Sequence, residues 1–396
     1  MSINRLRHIL QSNLQVQIDS SPAVVAGVQT RIAARVQELA EKSETIEIKT
    51  PATVPTLQSV MSFNLRPIDL LRKIGQLTTP SSLNIARFSA SWATRRYFWA
   101  IEPGTGLFRL SRDARQLDFH QKTLLSDEFG IGMAGLVMET YFQADGFSDV
   151  SAALADPTFG LQHEGDPEPD YLMWSGSTGA YFVVECKGCQ TSRSTALNQI
   201  RRGMEQLPTV TFKDTNRTMV SLVIATVLEN TSTTVIVLDP PDDEREFRGE
   251  NISERVSQRK WEIASQQKLL DRVLNVQRSY LLKWSGQNQA AAQIDENLEV
   301  QRIASQDLAN AVPEVRGIGG ERFVGYRSAL FPELFEGRVT VFSGAQSDLV
   351  DAARGGSVEM QQALQQFRTS ASFTHPIDTP YASIGVDGTC LQIEGV

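Results

Sequence analysis

The chain has 396 residues, 41% of them apolar and 21% charged, with three cysteines and a formal charge of −8. That length predicts two or three domains rather than one core, and the balanced composition excludes wholesale disorder. Three cysteines exclude a disulfide scaffold and fit a reducing compartment, and the acidic total argues against a protein that coats nucleic acid non-specifically, which requires neutralising many phosphates.

The opening MSINRLRHILQSNLQVQ carries Arg5 and Arg7 and no acid before Asp19. It reads as an amphipathic first helix, with a transit peptide as the alternative. No apolar run is long enough to span a bilayer, and the expected location is the cytoplasm. Residues 1–45 read as two helices, the second carrying Val28, Ile32, Val36 and Leu39 at helical spacing. From 46 to 110 the texture is extended and Pro-punctuated, and RRYFWAIEPGTGLFRLS suggests two strands around Pro103-Gly104.

The stretch 121–240 carries the clearest order of elements. A helix of about 20 residues ends at Tyr141 and Phe142. Strands are expected within 147–162, at 170–174 and at 180–187, the last two joined by the turn GSTG. A helix over 194–207 places Leu197, Ile200, Met204 and Leu207 on one face. Two nearly continuous apolar strands follow at 219–228 and 233–239, the pattern of a sheet covered on both faces. The fold class is therefore α/β. Beyond the charged DPPDDEREFRGEN, a long helix is expected at 252–285, further helix to about 311, then Gly-punctuated strands and a helix near 358–367. The domain reading is 1–115 as an N-terminal accessory region, 116–245 as the core and 246–396 as a C-terminal accessory region of long helices and mixed α/β.

Alternation along 180–187 puts Tyr181, Val183, Glu185 and Lys187 on one face and Cys186 on the other. With SGSTG as a hairpin turn, the start of the first strand lies beside the end of the second. Asp170 therefore falls next to Glu185 and Lys187, residues 15 apart (185 − 170). Two carboxylates on a rigid strand suit a hard cation such as Mg²⁺ or Mn²⁺. An adjacent lysine suits stabilisation of negative charge developing on a phosphodiester. The bland alternative is a strand-end ion pair, which contributes about 0–1 kcal/mol. On the preceding helix, Glu139 shares a face with Gly132, Gly135 and Leu136.

Pro169-Asp170 followed by an apolar strand ending Glu185-Cys186-Lys187 resembles the signature of the PD-(D/E)XK, or restriction-endonuclease-like, nuclease superfamily. The order helix, three strands, helix, two strands resembles that family's αβββαβ core with its mixed sheet. The resemblance implies Asp170 and Glu185 as metal ligands, the Cys186 backbone carbonyl as a third, Lys187 as the catalytic lysine and Glu139 as the acid of the first helix. It also implies Gln199 on the following helix, with Arg202 and Gln206 on the same flank. The expected activity is divalent-metal-dependent hydrolysis of nucleic acid, DNA before RNA, in a restriction or phage-defence setting. The alternative is an inactive fold serving as a binding scaffold. Homo-oligomerisation or a partner protein would act through the accessory regions.

The remaining motifs carry less. Arg193, Arg201 and Arg202 suit phosphate contacts or a solvated helix face. His163 precedes Asp170 and is either near the site or incidental. Cys186 and Cys189 form a CxxC that lacks further ligands for zinc and reads as buried thiols. GIGG at 317–320 lacks the strand–helix context of a nucleotide loop and reads as a turn, and the chain has no P-loop lysine motif.

Overall fold

A computed structural model describes residues 3–45, 48–58, 61–78, 89–155, 159–163, 168–176, 178–212, 220–239, 282, 314–330, 338–369 and 381–396. The N-terminal elements are α1 (Ile3–Leu10), β1 (Asn13–Asp19), α2 (Pro22–Glu41), β2 (Ala52–Thr53), β3 (Ser62–Leu65), α3 (Pro67–Leu77), α4 (Ser89–Tyr97) and β4 (Thr105–Leu107). The middle of the chain forms α5 (Arg112–Arg115), α6 (Phe119–Tyr141), β5 (Gly146–Asp149), α7 (Val150–Ala155), β6 (Leu161–His163), β7 (Tyr171–Trp174) and β8 (Tyr181–Cys189). Next come α8 (Arg193–Gln206), β9 (Val210–Phe212), β10 (Val220–Leu228) and β11 (Thr233–Asp239). The C-terminal part forms β12 (Glu314–Ile318), β13 (Glu321–Ala329), β14 (Thr340–Gln346), α9 (Ser347–Gly355), α10 (Ser357–Thr369), β15 (Ala382–Ile384) and β16 (Thr389–Glu394).

The architecture is mixed α/β. A mixed sheet runs β3-β1-β11-β10-β8-β7-β5, with β2 on β11 and β4 on β1. Strands β5, β7 and β8 are successively antiparallel, and β10 runs parallel to β8. As expected from their apolar runs, β10 and β11 are buried on both faces. Helices α3 and α6 cover one face of the sheet and α2 and α8 the other. Helices begin where the sequence supplies a cap: Asp118 accepts from Gln121 N before α6, and Ser192 from Thr195 N before α8.

The N-terminal region departs from expectation. Between its two helices lies a strand, β1, whose Leu14, Val16 and Ile18 alternate inward at period two. It pairs in parallel with β11, so the central sheet runs across the boundary drawn near residue 115. The two strands expected over 95–111 are a helix end and a short 3₁₀ turn, followed by β4 and an isolated bridge from Ile101 to Leu110. The helices expected at 252–285 and on to 311 lie outside the described residues, save buried Leu282. GIGG is the β12–β13 turn, with Gly319 and Gly320 at positive φ. Among the described residues, no helix is long and apolar enough to cross a membrane.

The five-stranded antiparallel sheet β12-β13-β14-β16-β15 shares its core with the large sheet through α3. The joint centres on Arg72, whose side chain is 2% exposed. Its Nε donates to Ser383 Oγ at 2.8 Å, its Nη1 to Thr389 Oγ1 at 3.3 Å and its Nη2 to both Glu139 oxygens at 3.1 Å. Removing one partner of such a network leaves an uncompensated buried charge, at about 3–5 kcal/mol. Arg72→Met is expected to lower unfolding free energy by about that amount in urea titration. A loss under about 1 kcal/mol would show that the joint does not rest on this guanidinium.

Candidate functional site

The hairpin forms as its spacing predicts. Tyr171 pairs with Val184 and Trp174 with Tyr181, so the register carried one residue on sets Asp170 opposite Glu185. The contact is reciprocal: Asp170 N donates to Glu185 Oε2 at 3.1 Å, and Cys186 N donates to Asp170 Oδ2 at 2.7 Å. A strand residue's N–H and C=O point to the same side, so the Cys186 carbonyl also faces the Asp170 edge. Lys187 shares a face with Glu185 and is ion-paired with its Oε1, which accepts no other hydrogen bond.

Glu185 has no exposed surface. Helix α8 closes over it at Gly203, where a Cβ would sit 3.0 Å from Glu185 Cγ. Burial, and after it the neighbouring Asp170 charge, push the Glu185 carboxyl up to about 8, against the pull of Lys187. Burial also raises Asp170, although Lys187 and the Cys186 N–H oppose the rise. Burial pulls the Lys187 ammonium down, but Glu185 and Asp170 outweigh it, and its pKa stands above the ordinary lysine value.

Glu139 is not part of this cluster. It is ion-paired with Arg72 and Lys73 and accepts from Val386 N at 3.0 Å, which holds it well down to about 2 despite its burial. Gly132 and Gly135 do share its face, as their spacing indicates, but that face meets α3: a Cβ on them would strike Ile74 and Leu77. The face of α6 that meets β8 carries Ser126, Asp127 and Gly130. A Cβ at Gly130 would lie 2.8 Å from the Lys187 carbonyl, and one at Gly188 would lie 1.8 Å from Ser126 O. Asp127, which sequence reasoning passed over, feels both Lys187 and Asp170, and burial raises its carboxyl. The signal for it was Gly130, three residues on and so on the same helical face, where strand and helix backbones touch.

On α8, Gln199 Nε2 donates to Gly188 O at 3.4 Å, and its Oε1 is buried without a hydrogen-bond partner. Gln206 Nε2 donates to Glu168 O at 3.1 Å. The three arginines separate in role. Arg193 is ion-paired with Asp19 at the end of β1, and Arg201 with Glu205 one turn on. Arg202 is exposed and has no side-chain partner among the described residues. His163 lies 3.9 Å from Glu168 rather than in the Asp170 cluster. Cys186 and Cys189 are buried free thiols, both raised chiefly by burial.

The oxygens able to hold a divalent cation here are those of Asp170 and Glu185 and the Cys186 carbonyl, with water completing the shell. Among the described residues, no group of three or more His, Cys, Asp and Glu side chains is disposed to hold a metal ion. In comparisons with known proteins, the chain matches no family model, no curated protein and no solved structure.

A carboxyl raised from 4.5 to about 8 on folding binds its proton more tightly in the native state. Native stability therefore falls as pH rises between those two values. With a chelator present, urea unfolding is expected to show a loss of a few kcal/mol between about pH 5 and pH 8. Glu185→Gln, which cannot ionise, should flatten that slope. An unchanged slope in the variant would mean that Glu185 ionises freely.

Proposed function

We propose that the chain is a divalent-cation-dependent phosphodiesterase built on a restriction-endonuclease-like core, hydrolysing nucleic acid, with DNA as the first candidate. The observation that carries this reading is a fully buried glutamate on β8, one residue past the last pair with β7, hydrogen-bonded to the Asp170 backbone and ion-paired with Lys187. An isolated strand-end ion pair has no reason to be buried, since desolvation exceeds the gain. The succession α6, β5, β7, β8, α8, β10, with β10 parallel to β8, agrees with an αβββαβ core, α7 and β6 being inserted after the first strand and β9, which pairs with β6, after α8.

The donor set fits Mg²⁺ or Mn²⁺. It is all oxygen, and burial raises both carboxyls, with the Asp170 charge adding to the rise at Glu185, despite the lysine beside them. A cation bound there supplies positive charge that stabilises the phosphodiester transition state. The chain's own groups do the rest. Asp170 and Glu185 fix the cation's position from adjacent strands. Lys187 stays protonated beside them and donates to the attacking water or to a non-bridging phosphate oxygen, offsetting negative charge as it develops. Gln199 fixes the Gly188 backbone, and hence the strand end that carries Lys187. Arg202 is the α8 cation available to a substrate phosphate.

A second reading, an inactive fold acting as a nucleic-acid or protein scaffold, is favoured by one observation: Lys187 already neutralises Glu185. Purified full-length protein with Mg²⁺ or Mn²⁺, offered DNA and RNA separately, distinguishes the two. The nuclease reading expects cleavage, reduced by about 100-fold or more in Lys187→Ala. It also expects calorimetric Mn²⁺ binding that Asp170→Asn abolishes. Equal cleavage by Lys187→Ala would sink the assignment, and a wild type that neither binds Mn²⁺ nor cleaves would establish the scaffold.

A further inference from the structure

At the other end of the β7–β8 hairpin lies a cavity of about 870 Å³, walled by the β3–α3 junction, α6, the hairpin turn and α10. Tyr181 on its rim is four residues before Glu185, about 13 Å along the strand. Its volume falls within the range of small-molecule sites.

Its polar wall carries donors that the fold leaves unspent. Arg66 uses Nε and Nη2 on Asp69, and its Nη1 is buried without a partner. Arg368 uses Nε on the Val386 carbonyl and Nη2 on Asp145, and its Nη1 has no partner among the described residues. Burial holds the Arg368 guanidinium down to about 10, even with Asp387 and Glu139 nearby. The side-chain amides of Asn64, Gln361 and Gln365 line the same space and are likewise uncommitted among the described residues. Arg72 and Glu139, by contrast, are consumed by one another and by their neighbours. Phe63, Leu136, Leu364 and Ile384 supply an apolar flank.

We infer that this cavity binds a small molecule in which an oxyanion, phosphate or carboxylate, is attached to a body of nucleoside size with an apolar face. The oxyanion takes Arg368 Nη1 and the uncommitted side-chain amides of Asn64, Gln361 and Gln365, and the body lies against the apolar flank. This site is separate from the Asp170–Glu185 cluster and does not depend on what that cluster does. Its walls come from both accessory regions and the core, so an occupant bridges all three.

Isothermal titration of the full chain in chelator, with matched probes sharing one body, tests the assignment. The probes are adenosine 5′-monophosphate, adenosine 5′-carboxylate, adenosine and inorganic phosphate. Saturable binding is expected for one or both oxyanion-bearing probes, with Kd between about 10 μM and 1 mM. Which of the two binds tighter identifies the source of the oxyanion. Adenosine and inorganic phosphate alone should bind roughly tenfold more weakly or worse. Arg368→Gln and, independently, Gln365→Ala should weaken the oxyanion probe, and Lys187→Ala should not. Adenosine binding as tightly as its phosphate, no saturable binding by any probe, or binding unchanged in Arg368→Gln and Gln365→Ala would each overturn the proposal. Binding lost in Lys187→Ala but kept in Arg368→Gln would place the probe at the strand-end cluster and overturn it equally.

Discussion

A carboxylate with no exposed surface sits midway along β8, just past that strand's last pair with β7, and the surrounding elements are arranged about it. Glu185 is a poor choice for stability, because burial and Asp170 both disfavour its charge. It persists because its neighbours fix it. Asp170 donates a backbone N–H to one oxygen, Lys187 faces the other, and α8 closes over the methylene stem at a glycine. The reciprocal bond from Cys186 N to Asp170 ties the two strands together where their regular pairing ends. A buried group that costs its own fold stability in this way is what the proposed chemistry would require.

Close backbone approach makes that arrangement possible. Gly188 lies against the Ser126 carbonyl and Gly130 against the Lys187 carbonyl, so α6 touches β8 without intervening side chains. The same helix turns its Gly132, Gly135 and Glu139 toward α3. One helix thus serves two purposes on two faces. Toward the sheet it carries Asp127 to the edge of the cluster, and toward α3 it supplies the buried anion that anchors Arg72 and, through it, the C-terminal sheet.

Much of this was legible in the residues. The strand with Glu185 and Lys187 on one face, the hairpin that returns Asp170 to them, and the two fully buried strands β10 and β11 all follow from period-two alternation and a short turn. What escaped was decided by tertiary pairing. Leu14, Val16 and Ile18 alternate plainly, but no hairpin turn joins this seven-residue strand to a neighbour, and its partners β3, β4 and β11 all lie beyond the helix that follows it. Glu139 was misplaced because spacing shows which residues share a helical face, not which neighbour that face meets. The arginines of α8 look alike as letters, yet Arg193 and Arg201 are neutralised by Asp19 and Glu205, the first of them far away in sequence.

The placement of β1 has a bearing on how the protein is made. Gln17 pairs with Thr234, so β1 is made more than two hundred residues before the strand that satisfies this part of its backbone. Until then β3 can cover one edge of β1, but the edge that meets β11 stays open, the kind that recruits other chains. Folding of the central sheet is accordingly non-local and slow in character. The early helices α1 and α2 flank this strand on either side. They are neighbouring elements, made well before β11, that can shield it while synthesis continues.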